Sequence, residues 1–149
     1  MTPNSCAFSR LPTPTFTQYS FRQAAPFPIL TKHMAIDGPL KIDREPGKAP
    51  GSMILRLTGP LTLRNIFDLQ AEMRKDEPRR LTILDLTGVP YMDSAGMGLV
   101  VNYHVHCQNK GGQLVTAGVS PRILELFKMT KVDAVLRMVP TLEDAEAIA

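Results

Sequence analysis

Three places in the sequence put reactive side chains at spacings that chemistry could use. The first is YMDSAGMGLV, Tyr91 to Val100, which holds an acid, a hydroxyl and two glycines. It lies at the seam between a strand-like run and a helix-like apolar stripe. A hydrolytic nucleophile at Ser94 would need a sharp elbow and a base. The G-x-S-x-G elbow has glycine two residues ahead of the serine, where Met92 stands here. The S-x-x-K pattern fails because Met97 occupies the lysine position. The histidines are His33, in the N-terminal tail, and His104 and His106, on the helix that follows Ser94. His104 sits in the stripe Met97, Val100, Val101, Val105 and reads as a core histidine. No third group stands ready to orient a base, so an enzyme acting through Ser94 is not expected.

The second place is His104-x-His106-Cys107, which looks at first like a ligand set. On a helix His104 and His106 lie roughly 200° apart, so they cannot share an ion. His104 and Cys107 share a face, but two ligands make no site. The third is Gly96-x-Gly98 after a strand, the opening of a dinucleotide loop. Val101 stands where the third glycine belongs, and Leu114 to Ser120 lacks the expected acid. No metal and no cofactor are expected. The glycines read instead as letting the helix start pack tightly against the sheet or a partner.

For Ser94 itself two roles stay open. It can be the N-cap of the following helix, as serine often is. Alternatively Asp93 is the cap, and Ser94 stands free in the first turn with its hydroxyl outward. Strand C-termini converge at this seam, the usual site edge of an open α/β sheet.

The elements that must position this seam alternate along the chain. Leu40 to Arg44 (LKIDR) alternates like an edge strand, and EPGKAPG, Glu45 to Gly51, is a turn by composition. Ser52 to Leu57 (SMILRL) closes a hairpin with it. Thr62 is placed to cap a helix running to about Lys75, with Leu63, Ile66, Phe67, Leu69 and Met73 on its apolar face. Leu81 to Leu86 (LTILDL) is nearly continuously apolar, which predicts a strand buried on both faces. A helix then runs to about Asn109 and stops at Lys110-Gly111-Gly112. Gln113 to Ala117 is a strand, and Ser120-Pro121 starts a helix that buries Ile123, Leu124, Phe127 and Met129. Val135 to Val139 is a last strand. Thr141 caps a final helix, LEDAEAIA, with Glu143 and Asp144 favoured in its first turn. The order β-β-α-β-α-β-α-β-α predicts a single small α/β domain. Its sheet is mixed and mostly parallel, with an antiparallel edge hairpin, and packs with about four helices.

At 149 residues one domain and a tail are expected, enough to bury a core without staples. The two cysteines, Cys6 and Cys107, make neither a disulfide framework nor a zinc set. That suits a reducing compartment, and a cytoplasmic location is expected. No apolar run of about eighteen residues exists, so no membrane span is expected. The net charge of +3 belongs to the tail, because residues 1–34 carry Arg10, Arg22 and Lys32 and no acid. Residues 35–149 hold 14 basic and 14 acidic side chains, and the chain is only 6% aromatic. A neutral domain so poor in aromatics lacks the footprint of a nucleic-acid binder. Residues 1–34, rich in proline, serine and threonine, are expected to be a disordered leader, with the domain at 35–149. Their acid-poor composition also suits a targeting peptide, but no apolar core or amphipathic helix accompanies it.

The motifs together resemble a known family. LTILDLTGVPYMDSAGMGLVV is similar to the signature of STAS domains, specifically the bacterial anti-sigma factor antagonists. That pattern is an apolar strand with an aspartate, a short turn, then (F/Y)-(M/I/L)-D-S-(S/T/A)-G-(L/M)-G and an apolar helix. Asp85, Tyr91, Met92, Asp93, Ser94, Gly96, Met97 and Gly98 fit it. MILRLTGPLTLRN, GGQLVTAGVSPRILELF and the ending from Met129 resemble the family's other segments, and the resemblance covers roughly residues 37–147.

The resemblance implies a phosphorylation substrate and binding module rather than an enzyme. Ser94 would accept phosphate from an anti-sigma factor that is also a serine kinase. The unphosphorylated form would bind that anti-sigma factor and release the sigma factor, and a serine phosphatase would reset the switch. Thr58, Gly59, Asp93, Ser94, Gly96 and Met97 would form the partner-binding surface, with Leu99 and the Gly88-Val89 turn at its rim. Phosphate adds about −1.5 to −2 charge at one contact point. The helix N-terminus tolerates that charge, whereas a docked partner would have to desolvate it. Losing about 4 kcal/mol of binding weakens affinity roughly a thousandfold.

Two departures stand out. The turn after the second strand reads Gly59-Pro60-Leu61-Thr62 where many members have G-E-L-D, which would slow phosphorylation if that acid assists it. Ala95 replaces a common second Ser or Thr and so points to Ser94 as the acceptor. An alternative within the resemblance is a STAS subunit of a lipid-transport ATPase complex, which binds its partner without a phosphorylation cycle. A monomer is expected, since no extra apolar stripe is left unexplained.

Overall fold

The computed structural model describes residues 38–148. The expectations for the leader, residues 1–34, lie outside the described residues. Five strands form one mixed sheet: β1 (Lys41–Pro46), β2 (Ser52–Thr58), β3 (Leu81–Gly88), β4 (Gln113–Ala117) and β5 (Arg137–Val139). They lie side by side in chain order, with β1 antiparallel to β2 and every later pair parallel. Four helices connect and cover them: α1 (Ile66–Arg74), α2 (Ser94–Asn109), α3 (Pro121–Met129) and α4 (Leu142–Glu146). The expected α/β architecture is therefore present.

The period-two alternation of the strands divides the core into two layers. Leu55, Leu57, Leu84, Leu86 and Leu114 face α1, α2 and α3, meeting Leu69, Val100 and Phe127. Ile54, Ile83 and Val115 point the other way, where Ala145 of α4 closes a smaller layer. Between Leu81 and Leu86 every β3 residue is buried, as expected of a strand covered on both faces.

Several elements differ from the sequence expectation. Strand β1 runs on to Pro46, so Glu45 and Pro46 pair with Ile54 and Met53 instead of opening the turn. Helix α1 begins at Ile66 rather than after Thr62. The Asn65 side chain accepts from the Thr62 amide at 2.8 Å and donates to the Pro60 carbonyl at 2.6 Å, holding residues 60–65 as a turn. The apolar face changes with it. Leu69 and Met73 are buried, whereas Leu63 and Phe67 are 61% and 64% exposed. Strand β5 begins at Arg137 rather than Val135. A 3₁₀ turn at Val132–Ala134 precedes it, and the Val135 and Leu136 amides both donate to the Val132 carbonyl, so neither can join the ladder. In α3, Ile123 and Phe127 are buried and Leu124 half-buried, but Met129 is 77% exposed beyond the last packed turn.

Candidate functional site

Two chain segments leave the C-terminal ends of β2 and β3 and stay paired. The Gly59 amide donates to the Gly88 carbonyl at 2.9 Å. Farther on, the Leu61 amide donates to the Tyr91 carbonyl at 2.9 Å, and the Asp93 amide to the Leu61 carbonyl at 3.1 Å. This short parallel bridge carries the chain to the head of α2 in a set position. Gly59 has φ +112°, and a Cβ there would lie 2.6 Å from the Pro39 carbonyl oxygen, so glycine is required by both backbone and space.

Asp93, not Ser94, caps α2. Its Oδ1 accepts from the Gly96 amide at 2.9 Å, while Oδ2 accepts from the Leu63 amide at 2.9 Å. One carboxylate thus satisfies a first-turn amide of α2 and ties down the turn that leads to α1. Ser94 is the first residue of the helix and its side chain is exposed. Beneath it Gly96 is buried, and a Cβ there would lie 2.6 Å from the Leu61 carbonyl oxygen. Gly98 has open space around it, so tight packing against the sheet holds for Gly96 alone of the two glycines.

The structure brings the sequence-predicted residues to one end of the sheet. Thr58 is exposed, Gly59, Asp93 and Met97 are half-buried, and Gly96 serves from below. Met97 Sδ accepts from the Thr130 hydroxyl at 3.2 Å, so the end of α3 joins the rim. Arg122 of α3 stacks over the Tyr91 ring at 4.9 Å. Asn65, Leu61, Thr130 and Arg122 were not legible as site residues. Only Asn65 carries a local signal, as an amide three residues after Thr62 in a turn-forming stretch.

A polar clasp around the buried Asp85 lies on the opposite face of the sheet. Asp85 Oδ1 accepts from the Thr87 amide at 3.0 Å and from its hydroxyl at 2.6 Å, and Oδ2 accepts from Arg56 Nε at 3.1 Å. Burial alone would push the Asp85 carboxyl up. The Thr87 and Arg56 hydrogen bonds outweigh it and hold the group below its ordinary value. Arg56 also pairs with Glu45 at 3.2 Å, so the clasp crosses from β1 to the end of β3.

The remaining reactive candidates fall away. His104 and Cys107 are buried while His106 is exposed. Burial pushes the Cys107 thiol up, and burial beside that thiol pushes Tyr103 up to about 12. Among the described residues no group of three or more His, Cys, Asp or Glu could hold a metal ion. None of the described helices is long and apolar enough to cross a membrane.

An exposed hydroxyl thus stands at a helix N-terminus, on the strand-end edge of a mixed α/β sheet ordered 1-2-3-4-5. The STAS domain family model matches residues 44–145, and the chain belongs to that family. BtrV of Bordetella bronchiseptica, provisionally named an anti-sigma factor antagonist, is 29% identical over 104 residues, 68% of this chain and 87% of BtrV. The anti-sigma F factor antagonist of Paenibacillus polymyxa is 28% identical over 83 residues, 54% of this chain and 71% of that protein. Among solved structures, an anti-sigma factor antagonist from Mycobacterium paratuberculosis superposes with a TM-score of 0.65 at 16% identity, covering 73% of this chain and 92% of that one. That likeness shows the shared fold.

Proposed function

We propose that this chain is an anti-sigma factor antagonist switched by phosphorylation of Ser94. In its unphosphorylated form it binds an anti-sigma factor with serine kinase activity and so frees a sigma factor. Phosphate on Ser94 ends that complex, and a serine phosphatase restores it. The protein acts as a cytoplasmic monomer and binding partner, not as a catalyst. The observation that carries this reading is the exposed Ser94 hydroxyl at the first residue of α2, left free because Asp93 supplies the cap. The names of the similar proteins support it.

A dianion at that position meets the helix dipole and first-turn amides, so the fold accommodates it. A partner pressed against the same point must desolvate it, and only the complex is lost. Asp93, whose two oxygens are already engaged, adds like charge to the same spot.

The test is a pull-down from native lysate with Ser94→Ala and Ser94→Asp baits, read by mass spectrometry. The captured kinase is then given ATP and the wild-type chain. Capture of an ATP-binding kinase-type regulator by the alanine bait alone, followed by phosphate mapped to Ser94, is the expected result. The same partner on both baits, or a membrane transport complex, would overturn it.

A further inference from the structure

Helix α2 begins with two neighbours that could each cap it, and only one does. Asp93 holds the cap, and Ser94 follows it in the first turn. A helix starting one residue later would make Ser94 the cap, with its hydroxyl oxygen accepting from the Met97 amide. That amide now donates to the Asp93 carbonyl at 3.0 Å. The Ser94 hydroxyl is therefore free only while the cap stays on Asp93.

What keeps it there lies in another segment. The Asp93 amide donates to the carbonyl of Leu61, whose side chain is fully buried. Asp93 Oδ2 accepts from the amide of Leu63, an exposed residue. Water competes for both groups of an exposed hydrogen bond, so this one persists only where the backbone holds the amide in place. Asn65 does the holding. It is 9% exposed, and its side chain donates to the Pro60 carbonyl and accepts from the Thr62 amide. The Thr62 carbonyl in turn accepts from the Asn65 and Ile66 amides, both at 3.0 Å. Residues 60–66 thus form a turn closed around one carboxamide, and the turn presents Leu61 and Leu63 to Asp93. The head of α2 rests on the same turn, since Gly96 leaves no room for a methyl group against the Leu61 carbonyl.

We propose that Asn65 is a positioning residue for the Ser94 hydroxyl, acting through Leu63 and Asp93. With the carboxamide in place, both Asp93 oxygens are engaged and the cap stays one residue ahead of the serine. Without it, the Thr62 amide and the Pro60 carbonyl lose their side-chain partner. The Leu63 amide then turns to water, and the Asp93 carboxylate keeps Gly96 alone. The cap passes in part to Ser94, whose oxygen is drawn into the helix end. As a statement about phosphate acceptance this rests on the Ser94 switch reading. Phosphoryl transfer needs the oxygen lone pair: Ser94 Oγ attacks the γ-phosphorus of ATP, its proton passes to a base on the kinase, and ADP leaves. A hydroxyl engaged as a cap does not offer that lone pair.

The experiment compares wild type, Asn65→Ala and Asn65→Asp as full chains. Hydrogen exchange is read at the Leu63, Gly96 and Met97 amides against those of β4, and the Hα–Hβ couplings of Ser94 report its rotamer. Wild type should show couplings averaged over rotamers, as a free side chain does. In Asn65→Ala, Leu63 and Gly96 should lose about tenfold more protection than the β4 amides. Met97 should lose no more than β4, because its amide only changes partner, and Ser94 should settle into one rotamer. Asn65→Asp keeps the acceptor for Thr62 and loses the donor to Pro60. It should show the same changes to a smaller degree, and it carries the test if the alanine variant does not fold. With the kinase that the Ser94→Ala bait captures, Asn65→Ala should lower kcat for Ser94 phosphorylation about tenfold and leave KM unchanged. Equal loss at all amides, fraying that includes Met97, or a Ser94 side chain still averaged overturns the proposal. Equal phosphorylation of wild type and Asn65→Ala also overturns it and leaves the switch reading standing. A cap that moves as expected, with no phosphate on wild-type Ser94, supports the positioning and removes the switch reading.

Discussion

Gly96 and Gly98 sit two residues apart on one helix and have opposite surroundings. Gly96 faces the Leu61 carbonyl, where a methyl group has no room, and Gly98 faces open space. Gly96→Ala should therefore cost about 1–3 kcal/mol by overpacking. Gly98→Ala should add about 0.5–1 kcal/mol by raising helix propensity. Urea unfolding of both variants checks the pair, and shifts of the same sign would contradict the packing described. Asp93 and Ser94 show where reading by residue type stops. Both are good cap residues, so their order in the chain cannot choose between them. The choice follows from Leu63, thirty residues away in sequence, whose amide takes the second Asp93 oxygen.

At the level of elements, α2 was legible from start to end, and β3 through its buried stretch, because their signals are local: an unbroken apolar run, a strong cap and a double-glycine stop. Strand β3 runs two residues past Leu86, to Gly88, where the apolar run has ended. Helix α1 was not, because the Asn65 side chain binds the turn before the helix instead of capping it. The start of β5 was missed for a similar reason, its amides being captured by Val132. The Asp85 clasp carries a pH prediction. Unfolded, Asp85 titrates near its ordinary 3.8, and folded it titrates lower. Between those values the unfolded chain binds the proton more often, so the clasp stabilises fully above about pH 4 and less as pH falls through the folded value. Asp85→Asn should be less stable than wild type at pH 7, and the gap should narrow by pH 3. An equal gap at both values, measured by denaturant unfolding, would count against the clasp.

On the scale of the whole domain, the site is an edge feature of a two-layer core. Phosphate on Ser94 touches neither layer, so unfolding free energy should change by no more than about 1 kcal/mol. Amide spectra should shift only near α2's head and the residue 58–65 turn. Shifts spread through β4 and α4 would show a conformational switch instead. The sequence alone determined the α/β class, the order of elements, the family and the serine worth watching, because periodicity, caps and turn residues act within a few positions. Only the tertiary structure decided that Asp93 caps and Ser94 is free, that Gly96 is packed and Gly98 open, and that Leu63 and Phe67 face outward. Each of these depends on which distant segment comes to lie alongside, above all the Leu61 strand-end bridge to Asp93, and contacts of that range leave no periodic trace in the chain.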